Sequence, residues 1–190
     1  MRPLIDIAIA IVIAAGIGLS TAWLAVERGN IFGLVRIGDW TASPEAGSPG
    51  ADPYAVARLA RTGELPLGAG EGLAFTVSVD ADGDPLAGNC TYHIDGQTPA
   101  ARLWTLTAYD QDGRLMANAA QRQGFHSREI LRRTDGSFDI VVSPDVQPGN
   151  WLPIAGAERF KLVLRLYDTP LTTGTPADST MPDVRREQCR

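Results

Sequence analysis

The residue types that most often carry out chemistry are few in this chain and form no recognised pattern. The chain has two histidines, His93 and His126, and two cysteines, Cys90 and Cys189. The histidines show neither the HxH nor the HExxH spacing of a metal site, and the cysteines lack the spacing of a zinc site. No G-x-S-x-G nucleophile motif is present. The sequence therefore predicts no metal and no cofactor, and it favours a non-catalytic protein over an enzyme.

Acidic residues cluster in short stretches that also contain glycine. Asp80, Asp82 and Asp84 have the alternating spacing of a calcium loop. Such a loop needs a bidentate acid near its end, and Thr91 stands at that position. Aspartates beside glycine commonly hydrogen-bond the backbone of a tight turn. These acids are therefore predicted to form a hairpin turn rather than a metal site.

Aromatic and arginine side chains on predicted strands are the remaining candidates for binding a ligand or a partner. Tryptophan can stack on a sugar ring, and arginine can bind an anion through two parallel hydrogen bonds. Core packing of the tryptophans, turn formation by the asparagine and surface exposure of the arginines are the favoured alternatives. The candidates are Arg102, Trp104, Tyr109, Asn150, Trp151, Arg165 and Tyr167.

The composition limits the class of protein. The chain has 190 residues, a formal net charge of -5 and 44% hydrophobic residues. This hydrophobic content supports a packed core, and the length suits one domain with appendages. A nucleic-acid-binding protein would present a basic surface, so the acidic balance argues against a nucleic-acid partner.

The N-terminal segment is predicted to cross a membrane. Residues 7–26 contain no charged side chain, and a helix of that length matches a hydrocarbon core of about 30 Å. The slight excess of positive charge before the segment predicts a single-pass inner-membrane anchor with a cytoplasmic N-terminus and a periplasmic remainder. The alternative is a signal peptide cleaved after the small-residue triplet that ends at Ala22, which would release the protein into the periplasm. The weak positive region and the apolar continuation favour the anchor.

Export predicts a disulfide between Cys90 and Cys189. Cysteines usually pair in an oxidising compartment, and a closed loop of this length contributes about 4–5 kcal/mol in the chain-entropy model. Cys189 is the penultimate residue, so the bond would attach a loose C-terminal tail to a strand. Two unpaired thiols are the alternative.

The elements that must position these residues are mostly predicted strands. Residues 101–110 alternate bulky side chains on both sides and precede an Asp-Gly turn, which predicts a central strand covered on both faces. Further strands are predicted at residues 73–80, 90–95, 114–117, 138–143 and 160–168, with residues 127–133 extended and residues 31–40 a weak strand candidate. Strands at this spacing predict an antiparallel β-sandwich or jelly roll.

One short helix is predicted before the strands. Asp52 is a favourable N-cap, Pro53 suits the first helical position, and Gly63 suits the C-cap. The predicted apolar face consists of Tyr54, Val56, Leu59 and Ala60, with Arg58 and Arg61 towards solvent. The resulting division is an anchor or signal (1–28), a linker (29–51), a β-sandwich domain (52–168) and a C-terminal tail (169–190).

Several runs of sequence resemble a known bacterial family. In order, they are GNCTYHIDG, PAARLWTLTAYDQDGRLMAN, TDGSFDIVVS, NWLPI and LVLRLYD. Together they resemble the domain of unknown function 1214 family, over about residues 52–168. The resemblance implies a β-sandwich or jelly roll that is often fused behind a companion domain, numbered 1254. Because that companion is absent from this sequence, the resemblance implies a separate polypeptide that carries it; the family supplies no reaction.

The function predicted from the sequence is therefore contact rather than catalysis. The chain is expected to be a membrane-anchored envelope protein whose β-sandwich binds a partner protein, namely the companion-domain polypeptide. One alternative is a module that binds a carbohydrate or a small anion. The other is a subunit of an enzyme whose site forms at the joint with the partner, to which this chain would contribute arginine or tyrosine side chains.

Overall fold

The structure, a computed structural model, describes residues 2–28, 33–68, 70–154, 157–172 and 179–190. A long helix, α1 (Arg2–Arg28), comes first, and a short helix, α2 (Pro53–Thr62), lies between the second and third strands. The described residues form ten strands: β1 (Val35–Ile37), β2 (Trp40–Ala42), β3 (Gly72–Val77), β4 (Cys90–Gly96), β5 (Leu103–Asp110), β6 (Gly124–His126), β7 (Phe138–Ser143), β8 (Asn150–Pro153), β9 (Phe160–Tyr167) and β10 (Asp183–Cys189).

Helix α1 is apolar and lies outside the core. Its span Pro3–Glu27 has a mean hydropathy of 2.2, and none of the most apolar part is buried. The helix is therefore long and apolar enough to cross a membrane, a property that a membrane anchor and a signal peptide share.

The strands form two sheets packed as a sandwich, which confirms the predicted fold class. The larger sheet is antiparallel, with the order β1-β2-β3-β9-β5-β6. The smaller has the order β10-β4-β7-β8 and is mixed, because β7 and β8 run parallel. Side chains from both inner faces, such as Phe75, Leu164, Ile94 and Ile140, are almost fully buried between the sheets. This single apolar layer supplies most of the folding energy.

Strand β5 lies inside the larger sheet, between β9 and β6. Only one of its faces is buried, so the prediction of coverage on both faces is wrong. Trp104, Leu106 and Ala108 are buried, whereas Thr105 and Thr107 on the outer face are half-buried. Threonine suits this position because its methyl group packs on the sheet while its hydroxyl meets water.

The ends of helix α2 are as predicted, but of its predicted apolar face only Leu59 lies towards the body of the protein. The Asp52 carboxylate accepts hydrogen bonds from the N–H groups of Tyr54 and Ala55, and Gly63 is left-handed at φ 66°. The face towards the body of the protein carries Ala55 with Arg58 and Leu59, which are three and four residues further on. Tyr54 and Val56 are instead 48% and 51% exposed.

Two segments predicted to be a linker and a tail belong to the sandwich. Residues 35–42 contribute β1 and β2, and buried Trp40 donates its indole N–H to the Pro182 carbonyl at 2.8 Å. Residues 183–189 form β10, which pairs with β4. The predicted Cys90–Cys189 disulfide is present and joins these two strands. These segments look irregular in sequence because the partners that order them are distant in the chain.

The region after β5 also differs from the prediction. Residues 114–117 form only one isolated bridge, Leu115 to Tyr109. Residues 127–130 turn, and of the extended segment predicted at 127–133 only Arg132 forms a bridge, to Phe138. Strand β6, rather than a strand at residues 114–117, pairs with β5 and forms this edge of the larger sheet. The side chain of Asn118 closes the loop before β6, because it bonds both the carbonyl and the N–H of Arg122, at 2.7 and 3.0 Å.

Candidate functional site

A groove lies between helix α2 and the outer face of the six-stranded sheet. Its volume is about 430 Å³, within the range of small-molecule sites. Its walls come from α2, the segment 64–67 that follows it, and strands β2, β3 and β9. Apolar side chains form much of its surface, including Leu34, Ala55, Leu59, Leu65, Leu67 and Val163.

Two arginines line this groove from opposite walls. Arg58 belongs to α2 and Arg165 to β9, and both side chains are half-buried. Arg165 Nη1 donates to the Tyr109 hydroxyl at 3.2 Å, and its guanidinium lies 5.6 Å from the centre of that ring. Within the described part of the chain, neither arginine has a carboxylate partner. Among the described residues, the groove therefore holds two arginine charges that are paired with no acid.

The remaining charged residues of the groove neutralise each other. Lys161 Nζ lies 3.3 Å from Glu64 Oε1, and Glu64 is the only acid among the described residues that line the groove. A half-enclosed space surrounded by protein screens charge less than open water does. The net effect is a local positive potential on a protein that is acidic overall.

The groove lies beside the C-terminal end of the apolar helix α1. Arg61, which is three residues beyond Arg58 on α2, pairs with Glu27 of α1. The Arg61 guanidinium also lies 4.6 Å from the centre of the Trp23 ring. Three residues are less than one helical turn, so the basic wall of the groove is close to the end of α1.

Of the residues that the sequence singled out, the structure brings Arg165 and Tyr109 together. Tyr167 lies on the same strand and the same outer face as Arg165 but does not line the groove. Arg102 is exposed and pairs with Asp168 at 3.2 Å. These two residues therefore do not share a site with Arg165.

The two candidate tryptophans and the asparagine lie elsewhere. Trp104 is 3% exposed and packs against Phe138 in the core, with ring centres 5.1 Å apart. Trp151 is half-buried and donates its indole N–H to the Ser143 carbonyl at 3.0 Å. Asn150 is buried, and its amide bonds the N–H and the carbonyl of Leu131. These contacts are packing and turn contacts, the alternatives that the sequence favoured.

Arg58 is the groove residue that sequence reasoning missed. The sequence predicted an apolar face of Tyr54, Val56, Leu59 and Ala60, which placed Arg58 in solvent. Two features of the sequence could have indicated the groove. Ala55, Arg58 and Leu59 are spaced three and four residues apart and so share one helix face, and the facing strand carries small residues such as Ala74 and Thr76. Small side chains on a sheet do not fill the space beneath a helix that packs across them, and the unfilled space is a groove.

A second polar cluster on the outer face of the four-stranded sheet was also not predicted. Both ring nitrogens of His93 face carboxylates, with Nδ1 3.0 Å from Asp139 and Nε2 3.4 Å from Glu187. Next to it, Asp95 accepts hydrogen bonds from Arg133 at 2.7 Å and from Arg185 at 2.6 Å. These pairs join β4, β7 and β10, so we interpret the cluster as structural.

The Asp95 carboxylate is strongly coupled to its neighbours. The hydrogen bond from Arg133 holds the pKa of Asp95 below its ordinary value, although partial burial opposes this. The charges of Arg133, then of Arg185 and His93, lower it further. Across the described ranges, no group of His, Cys, Asp or Glu side chains is arranged to hold a metal ion.

The aspartate-rich turn after β3 contains a buried ion pair. Asp80 is fully buried, and its Oδ1 accepts hydrogen bonds from the N–H groups of Asp82 and Asp84 at 3.1 and 2.9 Å. Its Oδ2 lies 2.6 Å from Arg186 Nη2, an ion pair without the alignment of a hydrogen bond. Asp80 therefore stabilises the backbone of the turn through one carboxylate oxygen and attaches β10 to the turn through the other.

Comparison with known proteins finds one family model, which matches the region that contains most strands of both sheets. A family model described as "Protein of unknown function (DUF1214)" matches residues 71–171, more than half of the chain. No curated protein matches significantly.

Two solved structures are similar to this chain. The VPA0106 protein from Vibrio parahaemolyticus is 23% identical with a TM-score of 0.57, and the match covers 73% of this chain and 36% of that one. An uncharacterized protein from Burkholderia cenocepacia is 15% identical with a TM-score of 0.42, over 93% of this chain and 51% of that one. This chain therefore spans little more than a third of the Vibrio protein, and the first likeness supports the fold alone.

Proposed function

Because this chain belongs to the DUF1214 family of proteins of unknown function, we propose a function from the groove that the chain itself forms. The protein is a non-catalytic β-sandwich, held at a membrane by α1, that binds an anionic ligand between α2 and the six-stranded sheet. This proposal develops the small-anion alternative that the sequence left open.

The observation that carries the proposal is a pair of guanidinium groups, those of Arg58 and Arg165, that have no carboxylate partner among the described residues. A half-buried arginine loses part of its hydration. A carboxylate or phosphate group can replace the lost water contacts with charge-assisted hydrogen bonds. The Tyr109 hydroxyl fixes one edge of the Arg165 guanidinium and so limits the rotamer entropy that binding would cost. An anion is therefore the ligand chemistry that this groove fits best.

The groove residues support binding rather than a reaction. The side chains that the structure shows lining it include Thr41, Ser43 and Ser78, but neither histidine nor cysteine. Its lysine, Lys161, is paired with Glu64 and donates to no hydroxyl among the described residues. A hydroxyl without an adjacent base is a poor nucleophile.

The cellular location is part of the same proposal. The apolar α1 would remain uncleaved, with its N-terminus in the cytoplasm and the sandwich in the periplasm. The Cys90–Cys189 disulfide supports an oxidising compartment, because cytosolic thiols are normally kept reduced.

The test is phosphate binding by the full-length chain in phosphatidylcholine nanodiscs. We expect inorganic phosphate to raise the unfolding temperature relative to chloride at equal ionic strength, since a ligand of the native state stabilises it. Arg58→Gln and Arg165→Gln should each weaken phosphate binding about tenfold or more, because a hydrogen bond to a charged group contributes about 1.5–3 kcal/mol. Arg114→Gln is the control, since Arg114 is exposed and lies outside the groove. An equal phosphate effect in all four proteins would refute the proposal.

One observation favours a second candidate, binding of a partner protein. Tyr54, Val56 and Leu65 expose apolar surface on and after α2, next to the groove. Apolar residues grouped on a surface commonly mark a contact site. We propose the companion-domain polypeptide as that partner. Crosslinking in cells should recover it with the wild-type chain and not with a Tyr54→Ser, Val56→Ser variant; recovery of no partner would reject this candidate.

A further inference from the structure

We propose that the anionic ligand is a single-chain amphiphile drawn from the membrane that α1 spans: an acidic head on Arg58 and Arg165, and an alkyl chain along the apolar wall. This inference rests on the proposed anion-binding function and specifies its ligand class. The shared chemistry is one carboxylate or phosphate head carrying one hydrocarbon chain.

The first argument is the division of the groove surface between charge and apolar area. The two arginines supply the only unneutralised charge among the groove residues that the structure describes. The rest of the lining includes Leu59, Leu65 and Val163, side chains that gain nothing from a compact inorganic anion. They gain free energy only if the ligand removes them from water, which requires an apolar part.

The second argument is the exposure of Leu65 at the groove. This leucine is 86% exposed although it lines the groove. Leu34, another lining residue, is 48% exposed. A hydrocarbon chain lying between the walls would cover both residues.

The third argument is position. Arg61 ties α2 to Glu27 and Trp23 at the C-terminal end of α1. Tryptophan is enriched where a membrane-spanning helix meets the headgroup region, so Trp23 places the groove close to the membrane surface. A membrane amphiphile then has a short path into the groove, with its head among the arginines.

The fourth argument is size. A volume of about 430 Å³ is at the small end of the range of ligand sites. It favours one alkyl chain over the two chains of a diacyl lipid.

The chain-length dependence of binding tests the inference. Full-length protein in phosphatidylcholine nanodiscs is titrated with butyrate, hexanoate and octanoate, and empty nanodiscs correct for partition into the lipid. Each methylene that is fully removed from water tightens binding about fourfold, so we expect at least about tenfold from butyrate to octanoate. Equal affinities for the three carboxylates would overturn the inference.

Variants separate the two parts of the ligand. Leu59→Ser and Leu65→Ser together should abolish the gain from butyrate to octanoate. Leu131→Ser is the matched control, because Leu131 is 68% exposed and does not line the groove. Phosphate binding without any chain-length effect keeps the proposed function and rejects the amphiphile. Loss of phosphate binding in the wild type rejects both.

The source of the ligand has a separate readout. A photoreactive diazirine analogue of hexadecanoate is added to the nanodiscs, illuminated and located by peptide mass spectrometry. We expect labelling of the segment 59–67, and its loss in Arg58→Gln, Arg165→Gln protein. Labelling confined to α1, at equal levels in wild type and variant, would show only lipid contact and would contradict the inference.

Discussion

At the scale of single residues, the role of each arginine depends on which carboxylates the fold brings to it. Arg133 and Arg185 share Asp95, and Arg186 pairs with buried Asp80. These pairs hold strands and turns together. Arg165 meets a tyrosine hydroxyl instead of an acid, which leaves its charge available to a ligand.

Substitution of Asp95 should change how stability depends on pH. The pKa of Asp95 is lowered in the folded protein, so its carboxylate contributes stability above its unfolded pKa of about 3.9, and this contribution is lost as the pH falls through the folded pKa. Asp95→Asn should therefore reduce the free energy of unfolding at about pH 7, and the difference from wild type should shrink by about pH 3. Urea unfolding across this range measures the difference.

The control for this prediction is Asp82→Asn. Asp82 is exposed, and no ion pair to it occurs in the described ranges. Its substitution should lower stability by less than about 0.5 kcal/mol at every pH. A difference between wild type and Asp95→Asn that stays constant from neutral to acidic pH would contradict the assignment of the lowered pKa.

At the scale of elements, two short pieces matter more than their length indicates. Helix α2 covers the sheet with Ala55, Arg58 and Leu59, and so creates the groove. Strand β10 closes one edge of the four-stranded sheet and carries the disulfide to β4. Its inward side chain, Val184, is buried, whereas Arg185 and Glu187 face the polar cluster.

Loss of the disulfide should destabilise the sandwich and loosen β10 unevenly. The bond closes a loop of 99 residues, so its removal in Cys90→Ser, Cys189→Ser protein should cost about 4–5 kcal/mol in the chain-entropy model. Val184 and the Arg185–Asp95 pair remain, so hydrogen exchange should accelerate most near residue 189 and least near residue 184. Urea unfolding and amide exchange measure the two effects.

The control is a reductant. It should shift the urea midpoint of wild-type protein towards that of the double variant and leave the double variant unchanged. Equal exchange rates along β10 in oxidised wild type and the double variant would mean that the strand is held without the covalent bond.

At the scale of the whole molecule, an all-β body stands next to one exposed apolar helix. The body has an apolar core between its sheets, so α1 contributes nothing to that core. An exposed helix with a mean hydropathy of 2.2 is stable in lipid and unfavourable in water. The helix thus has the properties of a membrane anchor or of a signal peptide.

A charge in the middle of α1 should release the protein from membranes. Arginine at the centre of a membrane-spanning helix costs about 2.5–3.5 kcal/mol on insertion scales. Ile13→Arg should therefore reduce the fraction that stays with membranes after a carbonate wash, while Ile13→Leu should not. Intact-mass analysis is the second measurement: a mature N-terminus just after Ala22 would show that the helix is a cleaved signal and that no anchor exists.

The sequence by itself determined the features that depend on neighbouring residues. Alternating apolar residues predicted β3 and β9, and the apolar run at residues 138–143 predicted β7, because these are local patterns. The bounds of β7 and β9 agree within one residue, whereas β3 ends at Val77, three residues before the predicted end. The caps at Asp52 and Gly63 are local hydrogen-bonding and backbone preferences. The apolar span of α1 follows from length and composition.

The tertiary structure alone decided features that depend on distant partners. Trp40 and Pro182 meet across the fold, which converted an expected linker and an expected tail into strands. The groove exists because α2 crosses a sheet face of small residues, and Arg58 and Arg165 line it although 106 positions separate them in the sequence. Their charges remain available because no acid within the described ranges pairs with them, Glu64 being paired with Lys161. No local pattern in the sequence encodes that arrangement.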